Sequence, residues 1–191
     1  MVTSWDIARE VGVSQTTVSR VLNGDPRVAP TTRERVQDAI DRLGYTPNAV
    51  ARGLVTNRTH LVGVAVTDIT NPFYPELIEE FAARLEANGL RMVLGNTGQV
   101  GDSHARVLME QRVDGMIIAS AALDSGEVRR LARARFPFVL VNRYADGVDC
   151  DVVTLDNDGA ARLVTGHLLE LGHTRIAVIG GHPHASTNRD R

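Results

Sequence analysis

From Gly12 to Gly24 the chain reads GVSQTTVSRVLNG, a stretch with helical length and spacing in which only Val18, Val21 and Leu22 suit a core. The other face carries Gln15, Thr16, Ser19, Arg20 and Asn23. These side chains match what the major groove offers, because each base pair there shows a distinct set of donors, acceptors and methyls. Gln15 can pair with adenine, Thr16 can bond a base edge or touch a thymine methyl, and Arg20 can reach guanine or a phosphate. Ser14, Thr17 and Ser19 are short donors suited to phosphates, contacts that fix register without reading sequence. The plain alternative is a solvated face on a small helical bundle. A narrow apolar edge opposite a face of recognition groups favours the second helix of a helix-turn-helix.

Such a helix needs supports, and the flanking residues supply them. Ser4 to Val11 reads as a helix with apolar Trp5, Ile7, Ala8 and Val11, capped by Thr3 or Ser4. Gly12 breaks it, Val13 returns to the core, and Ser14 can cap the helix that runs to about Asn23. Asp25 to Pro30 reads as a loop. Thr31 or Thr32 opens a third helix with Val36, Ala39, Ile40 and Leu43 on one face, stopped by Gly44. Tyr45-Thr46-Pro47 is extended, since a residue before proline avoids helical angles.

After Leu61 the pattern changes. The short apolar runs LVGVAV (61–66), RMVLG (91–95), GMIIAS (115–120), FVLVN (138–142), DVVTL (151–155) and RIAVIG (175–180) read as strands. Helical stretches near 75–88, 102–111, 125–135 and 156–171 alternate with them. That alternation is the signature of βαβ units and a parallel sheet covered by helices. The fold class expected is therefore an all-α helix-turn-helix unit followed by an α/β domain.

Bulk composition sets limits. The chain has 191 residues, 43% of them hydrophobic but only 4% aromatic, so the core must be built from Ala, Val, Leu and Ile. Residues 1–58 hold eight Arg against six acids, and residues 59–191 hold thirteen Arg against seventeen, so the start is the mildly basic part. Cys150 is the only cysteine, which rules out an internal disulfide and fits a reducing compartment. There is no apolar signal segment, and no apolar run reaches the ~18 residues of a membrane span. The expected location is cytoplasmic, with no membrane partner. The sequence holds no G-x-G-x-x-G after its first strand and no P-loop. The pairs His167/His173 and His182/His184 lack further ligands for a metal. An enzyme is not expected, nor a cofactor or a metal.

Residues 3–54, which contain DIAREVGVSQTTVSRVLNGDPRVAPTTRERVQDAIDRLGYTPNAVARGL, resemble the DNA-binding headpiece of the LacI/GalR family of bacterial transcription regulators. The run VSxxTVSRVLNG, followed by TRERV and GYxPNAVAxxL, carries that resemblance. It extends through TDITNPFYPELIEEF (67–81), RVDGMIIA (112–119), FPFVLVNR (136–143), DNDGAARLVTGHLLELGHTRIAVIGG (156–181) and STNRDR (186–191), which match the family's effector domain in order.

The resemblance implies a headpiece at 1–46, a hinge helix and linker at 47–60, and a partial effector domain at 61–191, similar to a periplasmic sugar-binding protein. It implies that Gln15, Thr16 and Arg20 read bases. It also implies that Pro47 to Leu54 is a hinge that folds on operator DNA, with Asn48 and Ala51 on the same segment and Leu54 wedged into the minor groove. Gly53 departs from the usual helix former. Glycine in a helix costs ~1 kcal/mol relative to alanine, so the hinge is expected to order reluctantly. By position, Phe73 lines the effector cleft, Asn142 stands where the family often has a ligand-binding Asp, and Arg189 matches an Arg that pairs with sugar hydroxyls or an acidic effector.

The function implied is a sequence-specific DNA-binding repressor of carbohydrate-related genes, controlled by a small-molecule effector and working as a homodimer on double-stranded operator DNA. In the family the second lobe continues beyond the point matched by Arg191. An incomplete effector domain is thus expected, with weakened dimerisation, an unpaired sheet edge and an uncovered apolar face. The stretch Thr97 to Arg112 looks a few residues shorter than in relatives. The competing readings are a remnant that regulates nothing and a small-molecule-binding protein without a DNA function.

Overall fold

The computed structural model describes residues 2–46, 58–96 and 104–191. The chain divides into two compact units, Met1–Thr56 and Asn57–Arg191.

The first unit is built on α1 (Ser4–Val11), α2 (Gln15–Leu22) and α3 (Pro30–Leu43). A capping box starts α1: the Thr3 hydroxyl accepts from the Asp6 N–H at 3.4 Å, and the Asp6 carboxylate accepts from the Thr3 N–H at 2.9 Å. Two otherwise orphaned N–H groups are satisfied this way. The Thr3 hydroxyl and N–H hold the Asp6 carboxyl below its usual range. Gly12, at φ 72°, closes α1 in the left-handed region where a side chain would be strained, and so permits the tight turn into α2. Ile7, Ala8 and Val11 of α1 pack with Val18 and Val21 of α2 and with Val36, Ala39 and Ile40 of α3 in one closed core.

Trp5, an apolar residue of α1, stays outside the core and is 68% exposed. It precedes Asp6 on the outward side of α1, while the inward side is filled by Ile7, Ala8 and Val11. Neither Thr31 nor Thr32 caps α3, which begins at Pro30 without a side-chain cap. Proline at the first helical position has its φ preset and gives up an N–H that would be unpaired anyway.

The second unit holds β1 (Leu61–Val66), α4 (Phe73–Ala87), β2 (Arg91–Asn96), α5 (His104–Glu110), β3 (Gly115–Ile118), α6 (Gly126–Arg133), β4 (Phe138–Val141), β5 (Asp151–Val153), α7 (Asn157–Glu170) and α8 (Ser186–Asp190). The sheet order is β2-β1-β3-β4-β5, with every neighbour parallel. Alternate residues of a strand face opposite ways, and β1 shows it. Val64 and Val66 pack with Tyr74, Leu77, Ile78 and Phe81 of α4. Ala65 belongs to the other face, with Leu108 of α5 and Val128 and Leu131 of α6. Leu108 sits close on the sheet because Gly63 and Gly95 lie beneath it; a Cβ at either would stand 3.1 or 3.2 Å from its Cδ1.

The strand expected at 175–180 does not form. A buried strand must pair its N–H and C=O groups with a neighbour, and among the described strands the sheet ends at β5. Val178 and Ile179 are accordingly 83% and 101% exposed. The uncovered apolar face expected on this side is present, with Val153, Leu155, Leu163, Val164 and Leu171 all exposed.

Candidate nucleic-acid interface and effector cleft

The three-helix core fixes α2 by its narrow edge. Val18 is fully buried and Val21 nearly so, in one core with residues of α1 and α3. At 3.6 residues per turn this leaves Thr16, Ser19, Arg20 and Asn23 along the opposite row. Thr16, Arg20 and Asn23 are exposed; Gln15, Thr17 and Ser19 are half-buried.

The polar groups are not equally free. Ser14 caps α2, its hydroxyl accepting from the Thr17 N–H at 3.1 Å and lying 2.9 Å from the Thr17 hydroxyl. Those two hydroxyls stabilise the helix start as well as facing outward. Gln15 donates from Nε2 to the Ser4 hydroxyl at 3.3 Å, across the turn from α1.

The arginines differ more sharply. Arg27 grips Asp25 with Nε at 2.9 Å and Nη2 at 2.7 Å. These hydrogen bonds hold the Asp25 carboxyl well below the usual carboxylate range, helped by the nearby charge of Arg20. Arg33 donates to the Asp25 carbonyl and Arg35 to the Val11 carbonyl, both at 2.6 Å. Arg42 pairs with Glu10 at 2.9 Å, and Arg9 lies 3.8 Å from Asp6. Arg20 alone among the described arginines of this unit has no hydrogen-bond or ion-pair partner among the described residues. An exposed, unpaired guanidinium beside a row of short polar groups is chemically suited to a phosphate or a guanine edge. Asn48, Ala51 and Leu54, with the Gly53 departure, lie outside the described residues, as do residues 97–103 of the stretch from Thr97 to Arg112.

In the second unit, ligand sites of parallel sheets lie beyond the carboxyl ends of the strands. After β1, Asp68 accepts from the Thr70 N–H at 2.9 Å and from its hydroxyl at 2.6 Å, and Asn71 accepts from the Phe73 N–H at 3.1 Å. These turns deliver Phe73 at the start of α4, 42% exposed and edge-on to Tyr74 at 5.3 Å. After β4, Asn142 takes φ 66° and donates its N–H to the Val153 carbonyl at 2.8 Å. Arg189 is engaged within the chain. It donates to both Asp146 oxygens at 2.9 and 2.8 Å and to the Tyr144 hydroxyl at 2.8 Å, while its guanidinium lies 5.2 Å from the Tyr144 ring centre. The Tyr144 hydroxyl in turn donates to Asp190 at 2.7 Å. Hydrogen bonding from Arg189 holds the Asp146 carboxyl below its usual range.

The structure therefore places Asn142 two residues before an aromatic that carries Arg189. Among the described residues, nothing bonds Phe73 to either. A depression of about 330 Å³ opens instead on α7, lined by Asp158, Arg162, Thr165, Leu169 and Arg191 among others, and holds none of the three. Sequence reasoning missed Ser4, Tyr144 and Asp146. Tyr144 and Asp146 carry no motif and meet Arg189 only across more than forty residues of chain. Ser4 carried a signal, a hydroxyl beside the recognition segment, and was read only as a cap. Among the described residues, no three of His, Cys, Asp or Glu converge for a metal, and no helix is long and apolar enough to cross a membrane.

The chain matches known proteins along its length. Residues 5–48 match the model of bacterial regulatory proteins of the lacI family, and residues 59–191 match that of periplasmic binding proteins and sugar-binding domains of the LacI family. It is 40% identical over 186 residues to catabolite control protein A of Priestia megaterium, covering 94% of this chain and 55% of that protein. It is 39% identical over 194 residues to the maltose regulon regulatory protein MalI of Escherichia coli, covering all of this chain and 57% of that protein. Among solved structures, the lac repressor dimer bound to operator and the anti-inducer ONPF superposes with a TM-score of 0.87 at 30% identity, covering all of this chain and 59% of that one. The chain thus spans a little over half the length of the curated relatives it matches. With a lacI-type helix-turn-helix matched at 5–48 and the family's α/β domain matched over 59–191, the chain belongs to the LacI family of bacterial regulatory proteins.

Proposed function

We propose that the chain is a sequence-specific DNA-binding transcriptional repressor, located in the cytoplasm, whose α2 enters the major groove of double-stranded operator DNA. The observation that carries this reading is the exposed guanidinium of Arg20, without a hydrogen bond or ion pair among the described residues, on a helix held from behind by Val18 and Val21. Gln15, Thr16 and Arg20 read bases, and Ser14, Thr17, Ser19 and Asn23 line the phosphate approach. Asn48, Ala51 and Leu54 form the hinge contacts, within a headpiece of 1–46 and a hinge and linker of 47–60. The lac repressor relative was solved as a dimer bound to operator, which supports two copies of this chain on a pseudo-palindromic site.

Residues 61–191 belong to the effector side. The family's sugar-binding domain and a related regulator solved with cellobiose support a sugar or similar small molecule as effector. Phe73 and Asn142 are its cleft residues. Arg189 joins them on release from Asp146.

The test is a fluorescence anisotropy titration of a pseudo-palindromic operator against a scrambled duplex at several salt concentrations. Specific binding with a steep salt slope is expected. Arg20→Ala is expected to weaken operator binding by roughly tenfold or more and to relax one base preference. Equal loss on both duplexes makes Arg20 a phosphate contact, and equal weak binding to every duplex of a randomised pool, by the unaltered chain and by a forced headpiece dimer alike, rejects the repressor reading.

A further inference from the structure

The geometry points to Ser4 as a positioning residue that sets the base preference of Gln15, and to adenine as the base selected; this inference rests on the DNA-binding reading above. Gln15 is the first residue of α2, and Ser4 is the first residue of α1. The two are eleven positions apart and meet only because the Gly12 turn folds one helix start against the other.

The hydrogen bond from Gln15 Nε2 to Ser4 Oγ spans 3.3 Å, and both residues are half-buried. It uses one of the two Nε2 hydrogens. The other N–H and the Oε1 acceptor have no partner among the described residues. A primary amide that presents one donor and one acceptor side by side is complementary to adenine N7 and N6.

A glutamine at a helix start has three side-chain torsions to settle before such a bidentate contact can form. Ordering them is an entropic cost normally met at binding. Here the hydroxyl of Ser4 orders the amide beforehand. The hydroxyl is supported in turn: the capping box of Thr3 and Asp6 fixes the first turn of α1, on which Ser4 sits. Ser4 acts without touching a base. It acts by holding the amide plane of Gln15, so its loss affects one operator position and not the headpiece as a whole.

The experiment is a binding-site selection from duplexes with randomised half-sites, using the full 191-residue chain as wild type, Ser4→Ala, Ser4→Thr and Gln15→Ala. Wild type is expected to select adenine at one position, and Gln15→Ala to lose that preference. Ser4→Ala is expected to weaken it by roughly three- to tenfold, on the scale of one pre-organised hydrogen bond. All other positions and the melting of the first unit should stay unchanged, and Ser4→Thr, which keeps a hydroxyl, should restore the preference.

Side-chain ¹⁵N relaxation of Gln15 in the free chain gives a readout independent of DNA. The amide should be ordered in wild type and Ser4→Thr and mobile in Ser4→Ala. Equal mobility in all three overturns the proposal. So does an unchanged preference in Ser4→Ala, or a uniform loss at every position, which would mark Ser4 as merely structural. A consensus that Gln15→Ala leaves intact overturns the Gln15 assignment alone. A wild type that selects nothing overturns the DNA-binding reading together with it.

Discussion

Ile7, Val18 and Val36 in the first unit are fully shut off from water, whereas Leu163, Val164 and Ile179 in the second stand largely in it. The first unit closes its core with three helices inside about 45 residues, and its surface charges are spent on bracing. Arg33, Arg35 and Arg42 each bond a neighbouring turn or helix, and Arg27 bonds Asp25 within its own loop. The second unit closes its core around β1, β3 and β4 and leaves the β5–α7 side open. Burial is thus a local matter in one unit and a long-range matter in the other. Arg20 is the exception among the described arginines of the closed unit, with no hydrogen bond or ion pair to another described residue.

The largest effect that would test this contrast is Ile7→Ala. Truncating a fully buried isoleucine removes about 2–5 kcal/mol, most of what a small three-helix unit has. Calorimetry should show the first unit's transition lost or shifted far down, with the second unit's transition unmoved and operator binding abolished. A shared shift of both transitions would show that the units are not separate.

Gly63→Ala strikes the second unit in the same way. The new methyl would press on Leu108 and Met116 from 3.1 and 3.3 Å, an overpacking of about 1–3 kcal/mol. Chemical denaturation followed on the second unit should show it, with DNA binding by the first unit unchanged.

Smaller is the acid response of Asp114. Partial burial pushes its carboxyl up, but the N–H and hydroxyl of Thr59 and the N–H of His60 outweigh this and hold it below 3.8. A carboxyl lowered in the folded state contributes stability that is present above its unfolded value and lost as pH falls through the folded one. The second unit should therefore lose stability progressively as pH falls below about 4. Asp114→Asn should be less stable at pH 7 and show a flatter acid limb. A variant with the same acid limb as wild type would remove Asp114 from this role.

Smallest in stability is Leu163→Glu. A side chain 78% exposed should change unfolding free energy by no more than about 0.5 kcal/mol. It should still reduce concentration-dependent light scattering, because it breaks an exposed apolar patch. A large loss of stability would mean that the patch is packed.

The helices of the first unit were legible because their signals are short in range. Thr3 and Asp6 form a capping box three residues apart, Ser14 caps the helix it precedes, and Gly12 and Gly44 take the left-handed stops. Two readings went wrong for want of context. Thr31 or Thr32 was read as opening the third helix, yet that helix begins at Pro30. The run at 175–180 has the composition of a buried strand, but composition does not supply the neighbouring strand that a ladder requires. The candidate DNA face was readable from the residue types along α2. Which of its groups are already bonded was not.

Propensity, capping and periodicity act between residues a few positions apart, so the sequence by itself determined the three-helix start, the alternation of strands and helices, and the face of α2 that turns outward. Tertiary structure alone decided the strand order β2-β1-β3-β4-β5, the clamp of Asp114 on Thr59, the capture of Arg189 by Asp146 and the bond from Gln15 to Ser4. Each of these joins groups that the chain separates by eleven to fifty-five residues. Such pairs meet only where burial of a shared core offsets the entropy of closing the loop between them.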